Sequence, residues 1–91
     1  MKNAVGLVYS NREKNNNKFY IVWIDGNVVN TNWGRIGYNG QSRLYTCATY
    51  EEAVNFADRK VSEKLRKGYW RCPIEKITSH TSSEYISNGE V

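Results

Sequence analysis

Acidic side chains are missing from one whole stretch of this 91-residue sequence. Between Gly26 and Tyr50 there is no Asp or Glu, while Arg35 and Arg43 stand there among five Asn and Gln. Other scarcities exclude whole classes of function. No apolar run approaches the ~18 residues of a membrane-spanning helix, and mean hydropathy is −0.71. The Met1-Lys2-Asn3 start leads into no apolar stretch of signal-peptide length, so a cytoplasmic, reducing setting is expected. Two cysteines, Cys47 and Cys72, are too few for a disulfide scaffold. A structural zinc site wants about four closely spaced Cys or His ligands, and Cys47 stands far from Cys72 and His80. His80 is the single histidine and lies in a Ser/Thr-rich stretch, a poor foundation for a catalytic triad. Gly34, Gly37 and Gly40 recur every third residue and Gln41 follows, which is not the spacing of a phosphate-cradling P-loop. No catalytic residue, metal site or cofactor is therefore expected.

What the sequence does have is β-forming residues, tyrosine and positive charge. Thirteen Lys and Arg against nine Asp and Glu give a formal charge of +4, a balance that suits a polyanionic partner. Hydrophobic residues make up 40%, enough for one small globular domain. Ala4 to Tyr9 reads as a first strand and Ser10 to Asn17 as a polar loop. Lys18 to Ile24 is β-branched or aromatic on both alternating faces, the pattern of a central strand covered on both sides. Asp25-Gly26 signals a tight hairpin into a third strand from Val28 to Ile36, and Asn39-Gly40 signals a second into Gln41 to Cys47.

The apolar period then lengthens from two to 3.6. Thr49-Tyr50-Glu51-Glu52 is a capping box, and Ala53, Phe56, Ala57, Val61 and Leu65 make a helical stripe. Acids at the start and Lys64, Arg66 and Lys67 at the end match the helix dipole, and Gly68 supplies the stop. The basic end of this helix reads as a solvated face. Ile74 to Ile77 adds a short strand or packs along the sheet edge. The fold expected is α+β: a four-stranded antiparallel meander, one helix across one face, and room for a short C-terminal strand. Residues 1–77 form the domain and 78–91 a polar tail.

Within the acid-free stretch, alternation places Trp33 and Arg35 on one strand face. A surface of cations and amides without carboxylates suits phosphate oxygens. The pattern leaves two readings of Trp33: a core aromatic, the commoner fate of tryptophan, or an exposed indole that stacks on sugar or base. Trp23, among apolar neighbours, reads as core, and Trp70 as core or a lid over it.

The string Trp33-Gly34-Arg35-Ile36-Gly37, with Gly40-Gln41 after it and Asn15-Asn16-Asn17-Lys18-Phe19-Tyr20 before it, resembles the WGR domain. The resemblance runs over roughly residues 4 to 71 and includes the helix with Ala53, Phe56 and Lys64. It implies a module of the kind found in DNA-dependent poly(ADP-ribose) polymerases, where the domain binds DNA at breaks and relays that event to a catalytic domain. It further implies that Trp33 packs on the sugar-phosphate chain near a DNA end, that Arg35 serves the same DNA and interdomain surface, and that Asn17 and Lys18 lie near the terminal phosphate. Arg43 joins them from the acid-free stretch itself.

The family's ADP-ribosyltransferase domain has no counterpart in 91 residues, so no NAD binding is expected. The reading is a non-catalytic module for sequence-independent binding of DNA at duplex ends or nicks. RNA stays open as a ligand, and a protein partner would supply any catalytic activity. The alternative is a protein-interaction module using the same Trp/Arg face. Neither a membrane nor a small-molecule cofactor is expected.

Overall fold

The computed structural model describes residues 4–77. Five strands form one antiparallel sheet: β1 (Val5–Asn11), β2 (Asn16–Asp25), β3 (Val28–Arg35), β4 (Gln41–Thr46) and β5 (Trp70–Arg71), with one helix, α1 (Tyr50–Arg66), between β4 and β5. The spatial order is β4-β3-β2-β1-β5. The expected meander is therefore present, and the short C-terminal strand pairs with β1. It forms at Trp70–Arg71; residues 74–77 instead turn helically. The polar tail and His80 lie outside the described residues.

β2 takes the central place that its two-sided apolar pattern demands. On one face Leu7, Tyr20, Val22 and Val29 are buried under Ala53, Ala57 and Val61 of the helix. On the other, Val8, Phe19 and Ile21 are buried under Ile77, with Ile74, Cys72, Ile36 and Trp23 packed around them. The helix closes one core and the segment after β5 closes the second. Trp23 thus belongs to the face away from the helix and is half-buried there.

Trp70 is neither core nor lid: it sits on the two-residue edge strand and is 49% exposed. β5 is too short, and too far out, to fold a ring back over the core.

The helix follows its sequence signals closely. The Thr49 Oγ1 accepts from the Glu52 amide at 3.1 Å, and Glu52 Oε1 accepts from the Ala48 amide at 3.1 Å, so the reciprocal bond reaches one residue further back than expected. At the other end the Tyr69 amide donates to the Lys64 carbonyl and the Gly68 amide to the Leu65 carbonyl, the paired bonds of a Schellman stop.

The turns depart from expectation. Asp25 pairs with Val28, so Gly26-Asn27, not Asp25-Gly26, occupies the first turn. Gly26 has φ +63°, as the first position of a type II′ hairpin requires. The β3–β4 connection is not tight: five residues, 36–40, lie between the strands, and both Gly37 and Gly40 take positive φ.

Candidate nucleic-acid interface

Strand alternation sorts the expected site residues onto two faces. Lys18, Tyr20, Thr31, Trp33, Arg35 and Arg43 face the helix side. Lys18 stands directly across from Arg35, Tyr20 across from Trp33, and Arg43 across from Thr31. Trp33 is thus diagonal to both Lys18 and Arg43, a separation of about 7–8 Å between Cα atoms. The indole is half-buried. It packs against the helix-side core and keeps part of its surface open. The core aromatic and the solvent-facing indole are here the same residue.

Asn17 separates from the others. β2 starts at Asn16, so Asn17 belongs to the strand rather than the loop, and its neighbour Lys18 points the opposite way. The Asn17 side chain accepts from Ser10 Oγ at 2.6 Å and lines a cavity with Val8, Ile36, Cys72, Lys76 and Ile77 on the face away from the helix. Its backbone carbonyl holds the Ile36 amide at 3.0 Å and so anchors the exit from β3.

The structure adds a second bank of cations from α1. Lys64 Nζ lies 4.9 Å from the centre of the Tyr20 ring and 5.4 Å from that of Tyr69. Lys60 Nζ lies 5.6 Å from Tyr45 and 5.4 Å from Phe56. Lys18 covers Tyr9 at 5.2 Å, Arg43 covers Tyr45 at 5.1 Å, and Arg35 approaches Tyr38 at 6.0 Å. Each cation therefore rests on a ring face, which holds its stem without neutralising its charge.

The basic end of the helix is more than a solvated face, since Lys60 and Lys64 are half-buried. Burial pulls the Lys64 ammonium below its ordinary pKa, and the like charges of Lys67, Lys18 and Lys60 pull it further, while Glu63 opposes them. The lysines of β2 and α1 thus share one field, and an anion placed among them relieves it.

Burial also pushes the Tyr20 phenol up to about 12, with Tyr45, Glu63 and Tyr69 adding to the effect. An unfolded tyrosine loses its proton near 10. Stability from Tyr20 is therefore complete below about pH 10 and is lost as pH climbs toward 12. Lys64 acts oppositely, but its influence ends once the unfolded lysine has titrated near 10.5. Denaturant midpoints measured between pH 10 and 12 should fall steeply in the natural chain and less steeply in Tyr20→Phe, whose residual slope belongs to Tyr69, also raised by burial. Identical slopes would place the Tyr20 hydroxyl in water.

A single antiparallel sheet with one crossing helix, carrying a half-buried indole on the same face as cations from four elements, defines a small binding module. The WGR domain model matches residues 4–76, and the chain belongs to the WGR domain family. Among curated proteins it is similar to the human protein mono-ADP-ribosyltransferase PARP3, 37% identical over 68 residues, and to protein YehF of Escherichia coli, 29% identical over 58 residues. These matches cover 69% and 64% of this chain but only 13% and 21% of those relatives. Among solved structures it is similar to a protein from Bacteroides fragilis, with TM-score 0.76 and 26% identity over 81% of this chain and 20% of that one.

Proposed function

We propose that this domain is a non-catalytic nucleic-acid-binding module that takes DNA, at ends or breaks, through phosphate and sugar contacts on the helix-side face around Trp33. The observation that carries the reading is the placement of Lys18 from β2, Arg35 from β3 and Arg43 from β4 on the face of one half-buried indole, with Lys64 of α1 over Tyr20, which stands across from it. Cations spaced along a face suit a chain of phosphates. A flat ring among them suits a sugar or an unstacked base. α1 lies with its apolar side on the sheet and leads with no groove-reading surface, so the expected contacts are to backbone rather than to base edges. Asn17 holds the β3 exit from behind and acts on the ligand only through that loop.

A second reading uses the same face for a protein. Tyr38, 60% exposed beside Arg35, is the observation in its favour. Fluorescence anisotropy with blunt, nicked and 5′-phosphorylated duplexes, at two salt concentrations, separates the two. Nucleic-acid binding predicts a logarithmic salt slope of about −3 to −4 for four phosphate contacts on duplex, and loss of more than about tenfold in affinity for Trp33→Ala and Arg35→Ala, since a stacked ring is worth ~1–3 kcal/mol. No binding to any duplex at low salt ends the nucleic-acid reading and leaves the face to a protein. A single-stranded RNA competitor that displaces the duplex extends the ligand class.

A further inference from the structure

Among the described residues the exposed aromatic rings are Tyr38, Tyr50 and Trp70. Two of them are badly placed for a polyanion. Tyr50 opens α1 and is followed by Glu51 and Glu52, whose carboxylates repel phosphate. Trp70 pairs with Val8 and so belongs to the face away from the helix. Tyr38 differs. It lies in the middle of the 36–40 loop, inside the stretch without Asp or Glu, and its ring centre is 6.0 Å from the Arg35 guanidinium carbon.

The loop that carries this ring is fixed at several points. The Ile36 amide donates to the Asn17 carbonyl at 3.0 Å, and the Ile36 side chain packs into the core on the far face. The Tyr38 amide donates to the Arg35 carbonyl at 3.0 Å, which closes a β-turn. From the far face the Asn32 side-chain amide donates to the Asn39 carbonyl at 3.4 Å and to the Gln41 carbonyl at 2.9 Å. Gly40 lies too close to the Trp33 carbonyl to leave room for a Cβ. An exposed ring on so constrained a loop is a preformed stacking surface, because the loop is ordered by folding and not by the ligand. Its neighbours Gly37, Asn39 and Gly40 add no second ring, so the surface is one ring wide.

We propose that Tyr38 is the platform on which one unpaired nucleotide stacks, so that the preferred ligand of this face is a duplex end with a single-stranded extension. The inference rests on the nucleic-acid reading of the Trp33 face. Arg35 stands between two rings: Trp33 precedes it on β3 and Tyr38 follows it on the loop. A phosphate on the Arg35 guanidinium therefore has a half-buried indole to one side, suited to a sugar, and a more open phenol ring to the other, suited to a base. Bases inside a duplex are covered on both faces by their neighbours and have no face to offer. A terminal pair offers one face two bases wide, of which a single ring covers half. An unpaired base matches the ring and breaks no pair to reach it. Stacking is tolerant of base identity, so the presence of a base matters here and its sequence does not.

Fluorescence anisotropy on a 5′-phosphorylated hairpin duplex with one open end tests this. The end is blunt, or carries two thymidines on its 5′ or its 3′ strand, or carries the same extensions with abasic sites. A base-bearing extension of at least one polarity should bind about fivefold or more tighter than its abasic counterpart, the lower bound for one stacked base at ~1–3 kcal/mol. Tyr38→Ala should bring the two together, and Tyr38→Trp should keep them apart. The Tyr38 side chain lies mostly in solvent, so the melting temperature of Tyr38→Ala should stay near that of the natural chain. The comparison of base-bearing with abasic ends on the natural chain needs no variant and decides alone if Tyr38→Ala fails to fold. Blunt ends that bind while both extensions ignore the loss of their bases overturn the proposal, leave the duplex reading standing and release Tyr38 to a protein partner. A preference for bases that survives Tyr38→Ala overturns the assignment of the ring. Equal weakening of blunt and extended ends by Tyr38→Ala overturns the unpaired nucleotide in favour of a capped terminal pair. Failure of every end to bind at low salt removes the nucleic-acid reading and this inference together.

Discussion

Gly40→Ala is expected to lower the unfolding free energy about two to three times as much as Gly26→Ala. Both glycines sit at positive φ, +76° and +63°, and a side chain in that region costs about 1–2 kcal/mol. They differ in their surroundings. A Cβ on Gly26 meets nothing within 4 Å, whereas one on Gly40 collides with the Trp33 carbonyl and comes to 3.0 Å from the Phe19 ring. The first is backbone within β3 and cannot swing aside. Forcing extra volume into a packed site adds about 1–3 kcal/mol, and in a domain of this length each kcal/mol moves Tm by roughly 4–8 °C. Gly40→Ala should thus melt roughly 8–40 °C lower than the natural chain, and Gly26→Ala roughly 4–16 °C lower.

The collision also has a functional side, because relief would have to come from moving the Trp33 peptide. Gly34, next to Trp33, is drawn into the same approach: a Cβ there would come 2.7 Å from the Gly40 Cα. The two glycines let the 36–40 loop fold back against β3 and hold the indole in place. Equal Tm losses in calorimetry at positions 26 and 40 would show that this approach is not what fixes the loop.

Local signals located the fold well, because they concern residues near one another along the chain. Thr49, Glu52 and Gly68 bracket the helix through bonds spanning three to five residues, and the observed bonds sit within one residue of the expected ones. The two-sided apolar pattern of Lys18 to Ile24 placed its strand in the centre, which is where β2 lies in the sheet. Other features depended on distant parts of the chain. Asn39-Gly40 resembles a tight turn, but the last pair of β3 with β4 is Trp33 with Gln41, which leaves seven residues, 34–40, between the partners. Trp70 reads as core by type, yet a two-residue edge strand leaves it exposed.

The site divides in the same way. The pattern put Trp33 on one face with Arg35 but left open whether its ring is core or exposed; the structure makes it half-buried, beside Val29 and Thr31, both fully buried on the same face. That Asn17 opposes Lys18 follows from period two once the strand is known to begin at Asn16. The stacking of Lys60 and Lys64 on tyrosines of the sheet was not legible, because it depends on how α1 crosses β2 and β3. Helical spacing marks those lysines as flanking the apolar stripe and says nothing of the rings beneath them.

Lys64 is therefore the residue that best separates a contact face from mere net positive charge. Lys64→Glu and Arg66→Glu change the formal charge equally and lie two residues apart on one helix. Lys64 faces Tyr20 and shares a field with Lys18 and Lys60. Arg66 is exposed and lines a groove with Asp58, Ser62 and Glu63 on the outer side of the helix. If phosphates follow the helix-side face, Lys64→Glu should weaken duplex binding by more than about tenfold and flatten the salt slope by about 0.9 for each phosphate no longer neutralised. Arg66→Glu should move affinity less than about threefold, through the screened long-range field alone. The protonation of Lys64 supplies a second readout. Its ammonium is held below the usual lysine range in the free protein, and a bound phosphate draws it back up. Binding then takes up a proton at alkaline pH. Affinity should fall as pH rises past the lowered pKa, and Lys64→Arg, which keeps its charge there, should abolish that fall. Equal losses for Lys64→Glu and Arg66→Glu, with no pH-dependent difference from Lys64→Arg, would mean that the polyanion responds to overall charge and that the face around Trp33 is not where it lies.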